Sequence, residues 1–329
     1  MELRDFGEFG LIAHIRKLFP EIGDDCAVLP GRSGFFLLAT VDSQVEGTHF
    51  RLSLIPPFSL GRRLLVANLS DIAAMGGIPR YALTSFVLRE DIPFSWFEEF
   101  LLGLQEEALR YGVTVVGGNL ARTAGPVTLD LVLLGEVEDD RPLLLRSNAR
   151  PGDCIFVTGY LGEAKAGFLL VEQGEERSEY QPLRERFFTA SPRLSVGRFL
   201  GSLGERIALI DVSDGLLQDL GHILEESKVG AVLEKEALPV SSLLAQFCKE
   251  KHYDPLDFVF RGGEDFELLF TAPPHLEEII LRSIPGRLGI PVSRIGNIIP
   301  EEGKIFIEED GKLLPLSTLG FDHFVRKER

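Results

Sequence analysis

Apolar residues along this chain occur in two alternating patterns, helical spacing and short strand-like runs, which together predict an α/β fold. Helical spacing predicts helices over residues 9–19, 60–74, 94–111, 162–173 and 216–226. Apolar runs predict strands over residues 34–41, 82–88, 113–116, 127–137, 154–158 and 207–210. Gly117-Gly118 predicts a turn, and Gly262-Gly263 lies between two apolar pieces, 258–260 and 266–271, as in a hairpin.

A segment rich in turn-forming residues separates the chain into two halves. Residues 147–153, which include Pro151-Gly152, predict a linker. We therefore predict an N-terminal domain over residues 1–147 and a C-terminal domain over residues 148–329. Within the second half, the charged stretch 174–186 predicts a solvated loop.

The charge balance limits the partners of this protein. Its 329 residues include 34 Lys and Arg against 50 Asp and Glu, a net charge of -16. This balance argues against a generalised basic surface for nucleic acid or an anionic membrane. A phosphate ligand would therefore need metal ions as intermediaries.

The cysteines and the termini indicate a reducing compartment. Cys26, Cys154 and Cys248 fit no zinc-binding spacing, so we predict buried structural thiols. The first five residues carry two acids and resemble no signal peptide, and no apolar stretch is long enough to span a membrane. The expected location is the cytoplasm.

Acidic residues recur in small loops flanked by glycine, serine or asparagine, most of them next to an apolar run. These loops contain Asp24 and Asp25, Asp42, Asp71, Asp211 and Asp214, and Glu264 and Asp265. Carboxylates that converge on one cleft repel each other unless cations lie among them, and hard divalent cations prefer oxygen ligands. The pattern therefore predicts a magnesium site that handles phosphates.

Several familiar nucleotide and hydrolase motifs are absent from the sequence. It contains no G-x-G, no GxxxxGK[ST], no HExxH and no GxSxG. These absences argue against a Rossmann fingerprint, a kinase glycine loop, a P-loop, a zinc hydrolase and an α/β-hydrolase.

Each candidate residue also has a structural interpretation. Asp24 and Asp25 are adjacent, so only one of them can face a given site; Asp25 is preferred, although turn chemistry alone would explain the pair. Asp211 or Ser213 could cap the following helix, whose free N–H groups would also suit a phosphate. Asp71 could lie on a solvated helix face, and His49 could be a surface histidine.

In order along the chain, these segments resemble the thiamine-monophosphate kinase family, within the superfamily of aminoimidazole ribonucleotide synthetase, selenide water dikinase and the hydrogenase maturation carbamoyl dehydratase. The segments that carry the resemblance are GDDCA at 23–27, DSQVEGTHF at 42–50, NLSDIAAMG at 68–76, GGN at 117–119 with Arg122, Arg146 with PGD at 151–153, DVSDGLLQDLGHI at 211–223, GGEDFEL at 262–268 and GFDHF at 320–324. They cover nearly the whole chain.

The resemblance implies a two-domain fold of mixed sheets with helices packed on them, a homodimer formed through the N-terminal domain, and a C-terminal domain that closes the cleft. It also implies magnesium-dependent transfer of the γ-phosphoryl group of ATP to thiamine monophosphate without a covalent nucleophile. The implied metal ligands are Asp25, Thr40, Asp42, Asp71, Asn119, Asp211 and Asp214. The implied nucleotide contacts are Gly118, Asn119, Arg146 and Ser213, and the implied substrate contacts are His49, Glu264 and Phe321.

One departure from the family pattern concerns the charge of the metal cluster. Asn119 stands where the family usually has aspartate, so one negative charge is lost; Ser43 and Leu120-Ala121 also replace hydroxyl-bearing threonines. Three hypotheses follow from the sequence: an active thiamine-monophosphate kinase, a related ATP-dependent synthetase with another small acceptor, or a nucleotide-binding homologue weakened at Asn119.

Overall fold

The computed structural model describes residue 3 and residues 7–19 and 22–316, in which helices and strands alternate along the chain. The α-helices are α1 (Gly7–Leu18), α2 (Pro57–Ala74), α3 (Phe94–Tyr111), α4 (Glu163–Glu172), α5 (Gln181–Phe188), α6 (Leu194–Ser202), α7 (Leu216–Ser227), α8 (Ser242–Lys251), α9 (Pro255–Arg261) and α10 (Glu277–Ser283). The strands are β1 (Ala27–Pro30), β2 (Phe35–Val45), β3 (Ile78–Leu88), β4 (Thr114–Arg122), β5 (Thr128–Glu138), β6 (Cys154–Thr158), β7 (Ala208–Val212), β8 (Gly230–Glu234), β9 (Glu267–Ala272), β10 (Val292–Ile299), β11 (Ile305–Glu309) and β12 (Lys312–Leu316).

The first half forms a five-stranded sheet in the order β1-β2-β5-β3-β4. Only the β3–β4 pair is parallel. One face of the sheet packs on α2 and α3 through a core that includes Leu38, Leu64, Phe100 and Leu131. The opposite face is open, since Val41 is 62% exposed and Leu83 is 41% exposed.

The second half forms a mixed seven-stranded sheet in the order β12-β11-β8-β10-β6-β9-β7. Every residue of β6, β7 and β9 is buried, as expected for strands covered on both faces. Their apolar composition explains why the sequence predicted β6 and β7 from continuous apolar runs. The α/β prediction is therefore confirmed, with one sheet on each side of residue 148.

Helix α2 belongs to both halves. Pro57 lies in its first turn, where proline costs no hydrogen bond, and most of its residues are buried. Near its end, Ala73 and Ala74 join a core that includes Val196 and Leu200 of α6. A Cβ atom on Gly197 would overlap the carbonyl oxygen of Ala73, so the two helices touch backbone to backbone.

Three details of the predicted elements are wrong. The stretch 174–186 is not all loop, because it enters α5, which buries Leu183 and Phe187. Gly117-Gly118 is not a turn, since β4 continues through it alongside β3. Gly262-Gly263 is not a hairpin, since residues 258–260 belong to α9, which Asp254 caps by accepting the Leu256 N–H at 2.9 Å.

Two further expectations from the sequence concern the cysteines and membrane-spanning helices. Cys26, Cys154 and Cys248 are all buried and form no disulfide, which confirms the prediction of buried thiols. In the part of the chain that the structure describes, no helix has both the length and the apolar character needed to cross a membrane.

Candidate active site

A cavity of about 520 Å³ lies between the two halves. The first half contributes residues of β2, the loop after it and α2. The second half contributes residues of β7 and the loop after it, of α4 and α5, and of α9 and the segment after it. The lining residues are Asp42, Ser43, Gln44, Thr48, His49, Ala67, Asp71, Lys165, Phe168, Phe187, Asp211, Ser213, Asp214, Arg261, Gly263, Glu264 and Phe266.

Three carboxylates from distant parts of the chain converge at this cavity. Asp25 precedes β1, Asp71 lies on α2 and Asp211 lies near the end of β7. One carboxylate oxygen of each lies within 4.8 Å of those of the other two. Oxygens at this spacing can share a divalent cation of the magnesium type, so the residues present fit the predicted metal.

Burial and mutual repulsion make Asp42, Asp71 and Asp211 hard to ionise. Burial, followed by the nearby Asp214 and Asp25, raises the pKa of Asp42 to about 6. Burial, followed by Asp25, raises the pKa of Asp211 to about 8. The pKa of Asp71 is also raised well above its usual range, by burial and then by Asp42, Asp211 and Asp25. A bound cation would favour the ionised forms and relieve this repulsion.

Thr40 and Arg146 hold two carboxylates of the cluster in place. The Thr40 hydroxyl donates a hydrogen bond to Oδ2 of Asp71, which orients that carboxylate. Asp24 Oδ1 accepts the backbone N–H of Arg146 at 2.7 Å. The Arg146 guanidinium pairs with Asp25, with Nη2 2.8 Å from Oδ1. Of the two adjacent aspartates, only Asp25 joins the carboxylate cluster.

The loop between β7 and α7 is stabilised by a residue of its own helix. Asp219, in the first turn of α7, accepts the N–H groups of Asp214 at 3.2 Å and of Gly215 at 3.0 Å. The N-cap is Gly215, and no side chain caps it. The alternative that Asp211 or Ser213 caps this helix is therefore wrong. Both residues line the cavity instead.

The turn after α9 is attached to the same loop. Glu264 has a left-handed backbone, with φ 68°, and its N–H donates to the Ser213 carbonyl at 2.8 Å. A Cβ on Gly263 would overlap that carbonyl oxygen, so glycine is required there. Asp265 does not join the cluster, because its carboxylate accepts the N–H groups of Gly162 at 2.6 Å and Ala164 at 3.0 Å at the start of α4.

Family models match both halves of the chain. The model of the AIR synthase related protein N-terminal domain matches residues 23–137, and that of the C-terminal domain matches residues 150–308. Thiamine-monophosphate kinase of Aquifex aeolicus is 34% identical over 98% of this chain and 100% of its own length. The chain belongs to the thiamine-monophosphate kinase family. The same enzyme of Escherichia coli K12 is 37% identical over 97% of this chain and 98% of its own.

A solved structure agrees with this membership of the thiamine-monophosphate kinase family. AaThiL complexed with AMPPCP and TMP superimposes with a TM-score of 0.85 at 33% identity, and the match covers 98% of this chain and 99% of that chain. The resemblance seen in the sequence is therefore confirmed, and so is the two-domain fold of mixed sheets that it implied.

The remaining residues implied by the thiamine-monophosphate kinase pattern lie in different places. His49 lines the cavity, and its Nδ1 accepts the Val45 N–H at 3.0 Å. Phe321 lies outside the described residues. Gly118 and Asn119 lie on the exposed strand β4 and do not line the cavity.

The sheet register places Asn119 in a row on the open face. Asn119 pairs with Ser85, Ser85 pairs with Asp130 and Asp130 pairs with Ser43. Cross-strand partners share a sheet face, so Asn119 lies on the same face as Ser43. Asp42, which precedes Ser43, lies on the opposite face, because successive residues of a strand alternate between faces. Within one chain, Asn119 therefore lies apart from the carboxylate cluster.

Sequence reasoning missed several cavity residues and one residue behind the cavity wall. Lys165, Phe168, Phe187 and Arg261 line the cavity, and nothing in their local sequence marks them. Arg63, on α2, is only 3% exposed and forms an ion pair with Glu264; burial lowers its pKa to about 10. An arginine on the apolar side of a predicted helix was a signal that could have found it.

Proposed function

We propose that this protein transfers the γ-phosphoryl group of ATP to the phosphate of thiamine monophosphate, giving thiamine diphosphate. The observation that carries the proposal is the convergence of Asp25, Asp71 and Asp211 at a cavity between the two halves. Full-length similarity to thiamine-monophosphate kinases, and to AaThiL complexed with AMPPCP and TMP, supports the choice of both substrates.

The residues present suit this chemistry. Phosphoryl transfer requires mainly alignment of the attacking and leaving oxygens and neutralisation of phosphate charge, and an acceptor phosphate is already ionised at neutral pH. No covalent nucleophile is therefore needed. Bound magnesium ions would supply the positive charge between the phosphates and the carboxylates. Asp25, Asp71 and Asp211 would hold them, with Asp42 and Asp214 beside them in the cavity wall.

The other proposed contacts divide between the two substrates. For the nucleotide we assign Ser213, which lines the cavity, together with Arg146, Gly118 and Asn119. For the acceptor we assign His49 and Glu264 in the wall, with Phe321. Glu264 would balance the positive charge of the thiazolium ring.

The exposed edge and open face of the first sheet support the proposal of a homodimer. Every residue of β4 is exposed, and Val41 and Leu83 are exposed on the open face. Natural proteins cover such edges and apolar faces, because both invite pairing with another chain. We infer that a second copy covers this face, which would also enclose Gly118 and Asn119.

The division of the chain into domains at residue 147 and the cytoplasmic location of the protein stay predictions.

A coupled assay of ADP release tests the proposed reaction. ADP should appear only when ATP, magnesium and thiamine monophosphate are all present, and not with thiamine or buffer alone. Mass spectrometry should identify thiamine diphosphate as the product. No ADP at millimolar substrate would refute the proposal.

The neutral side chain of Asn119 favours a second candidate, a nucleotide-binding homologue with weakened transfer. Such a protein would bind ATP but show little turnover. Asn119→Asp would then raise ADP release sharply in the same assay, whereas an active kinase would show similar rates in both proteins at saturating magnesium.

A further inference from the structure

A buried arginine lies directly behind the cavity wall on the acceptor side. Arg63 lies on α2 and is 3% exposed. Its guanidinium contacts three cavity-lining residues: an ion pair with Glu264, a contact of 3.5 Å from Nη2 to the carbonyl oxygen of His49, and the face of Phe187 at 5.1 Å from Cζ to the ring centroid.

Most of the hydrogen-bonding capacity of this guanidinium is not used. Among the described residues, the buried Nε and Nη1 atoms have no hydrogen-bond partner. Removing a guanidinium from water is unfavourable unless an opposite charge compensates. Glu264 supplies the carboxylate that compensates the Arg63 charge, so the two side chains should hold each other tightly.

The main chain of Glu264 is fixed separately from its side chain. Its left-handed backbone and its hydrogen bond to the Ser213 carbonyl fix the turn. The side chain is 35% exposed at the cavity, where a glutamate without a partner would sample several rotamers. The ion pair with Arg63 selects one of them before any ligand arrives.

We propose that Arg63 is a positioning residue that holds the Glu264 carboxylate in place for the cationic ring of the acceptor. Fixing this carboxylate in advance lowers the entropy that is lost when the acceptor binds. The ring contact is made equally before and during transfer, so its loss should weaken acceptor binding more than it slows the chemical step. This inference rests on the proposed function, since it assumes that acceptor.

The test is calorimetric binding of thiamine monophosphate and of AMPPCP with magnesium to Arg63→Lys. Lysine keeps the charge but lacks the planar fork of arginine. We expect acceptor affinity to fall about tenfold while nucleotide affinity stays unchanged. The matched control is Arg62→Lys. Arg62 is adjacent to Arg63 on α2 but does not line the cavity, and its Nε lies 2.7 Å from Oε2 of Glu107. That variant should leave both affinities unchanged.

A double-mutant cycle separates positioning from general damage to the fold. If Arg63 acts through Glu264, Arg63→Lys should have no further effect on acceptor affinity in a Glu264→Gln background. Three results would each overturn the inference. They are an acceptor affinity of Arg63→Lys that equals that of the wild type, a loss of nucleotide affinity as large as the loss of acceptor affinity, and additive effects of the two changes in the double variant.

Two further outcomes are distinguishable. If Arg63→Lys does not fold, Glu264→Asp shortens the side chain that contacts Arg63 while keeping its charge, and acceptor affinity should again fall about tenfold. Unchanged affinity there would overturn the inference. If the wild-type protein itself binds no thiamine monophosphate, the proposed function fails and the inference fails with it. Wild-type binding with an unaffected variant refutes the inference alone.

Discussion

Arg146 and Asp25 form a two-point ion pair, with Nη2 2.8 Å from Oδ1 and Nε 3.3 Å from Oδ2. Arg146 follows the first sheet, and Asp25 lies in the loop before β1. The pair connects the start of the first half to its end, just before the linker predicted at residues 147–153. Because Asp25 also lies close to Asp71 and Asp211, its charge is shared between the guanidinium and any cation at the cluster.

We predict that Asp25→Asn abolishes tight cation binding and slows ADP release by at least about 100-fold, since it removes one ligand and leaves Arg146 without its charge partner. Isothermal titration with Mn²⁺ and the ADP assay measure the two effects. Asp24→Asn is the matched control, because the amide oxygen can still accept the Arg146 N–H. Wild-type Mn²⁺ affinity in Asp25→Asn would contradict the proposed ligand set.

The raised carboxylate pKa values predict how stability depends on pH. Folding favours the protonated forms of Asp42 and Asp211, whose pKa values rise from 3.8 to about 6 and about 8. Their contribution to stability is therefore complete below about pH 4 and is lost as the pH rises through about 6 and then about 8. Magnesium should offset the loss by stabilising the ionised forms.

The measurement is the melting temperature with EDTA and with magnesium from about pH 5.5 to about pH 9. In EDTA, the stabilisation from these carboxylates should decrease as the pH rises. The difference in melting temperature between magnesium and EDTA should increase over the same range, by roughly 2–4 °C for each kcal/mol of added stability. Asp211→Asn cannot ionise and should lose the upper part of this dependence. A magnesium effect that is constant over the range would contradict the prediction.

The open face of the first sheet predicts the oligomeric state. The wild-type protein should sediment at twice the mass of its chain, and Leu83→Arg should sediment as a monomer because it puts a charge on the face between the copies. Leu109→Arg is the control, since Leu109 is 76% exposed but lies on α3, away from that face. A dimer that persists in Leu83→Arg would place the interface elsewhere.

Asp265 is predicted to contribute to stability and not to metal binding. Asp265→Ala removes a fully buried acceptor of two N–H groups at the start of α4, so we expect a loss of about 2 kcal/mol. Denaturant unfolding measures it, and Mn²⁺ affinity should not change. Asp254→Ala removes an exposed cap of α9 and should cost about 1 kcal/mol or less. Weaker Mn²⁺ binding in Asp265→Ala would make Asp265 part of the metal site.

The elements that the sequence predicted well are those whose own pattern determines them. Helix α3 was predicted with its observed bounds, because its apolar spacing is regular and Gly112 ends it in a left-handed conformation. Helix α5 was missed because its charged residues dominate the sequence, while burial of Leu183 and Phe187 depends on distant partners. β4 continues through Gly117 and Gly118 because β3 pairs with it. This pairing could not be predicted from the local strand propensity of the two glycines.

In the candidate active site, too, residues within a local sequence pattern could be predicted, whereas residues that depend on tertiary contacts could not. The motifs located Asp25, Asp71 and Asp211, because each lies in a short segment with its own sequence pattern. The roles of neighbouring acids could not be separated, since Asp24, Asp219 and Asp265 differ from them only in which backbone N–H groups they meet in space. Arg63 and Phe187 meet beside Glu264 only through tertiary packing.

The contact between Gly197 and Ala73 limits how the protein can move during turnover. No side chain separates the two helices there, so a side chain at position 197 would push α2 and α6 apart. We expect α2 and α6 to move as one unit, because this contact leaves no room for displacement of one helix relative to the other. Exchange of substrate and product would then depend on displacement of α4 and α5, which carry the cavity-lining residues Lys165, Phe168 and Phe187.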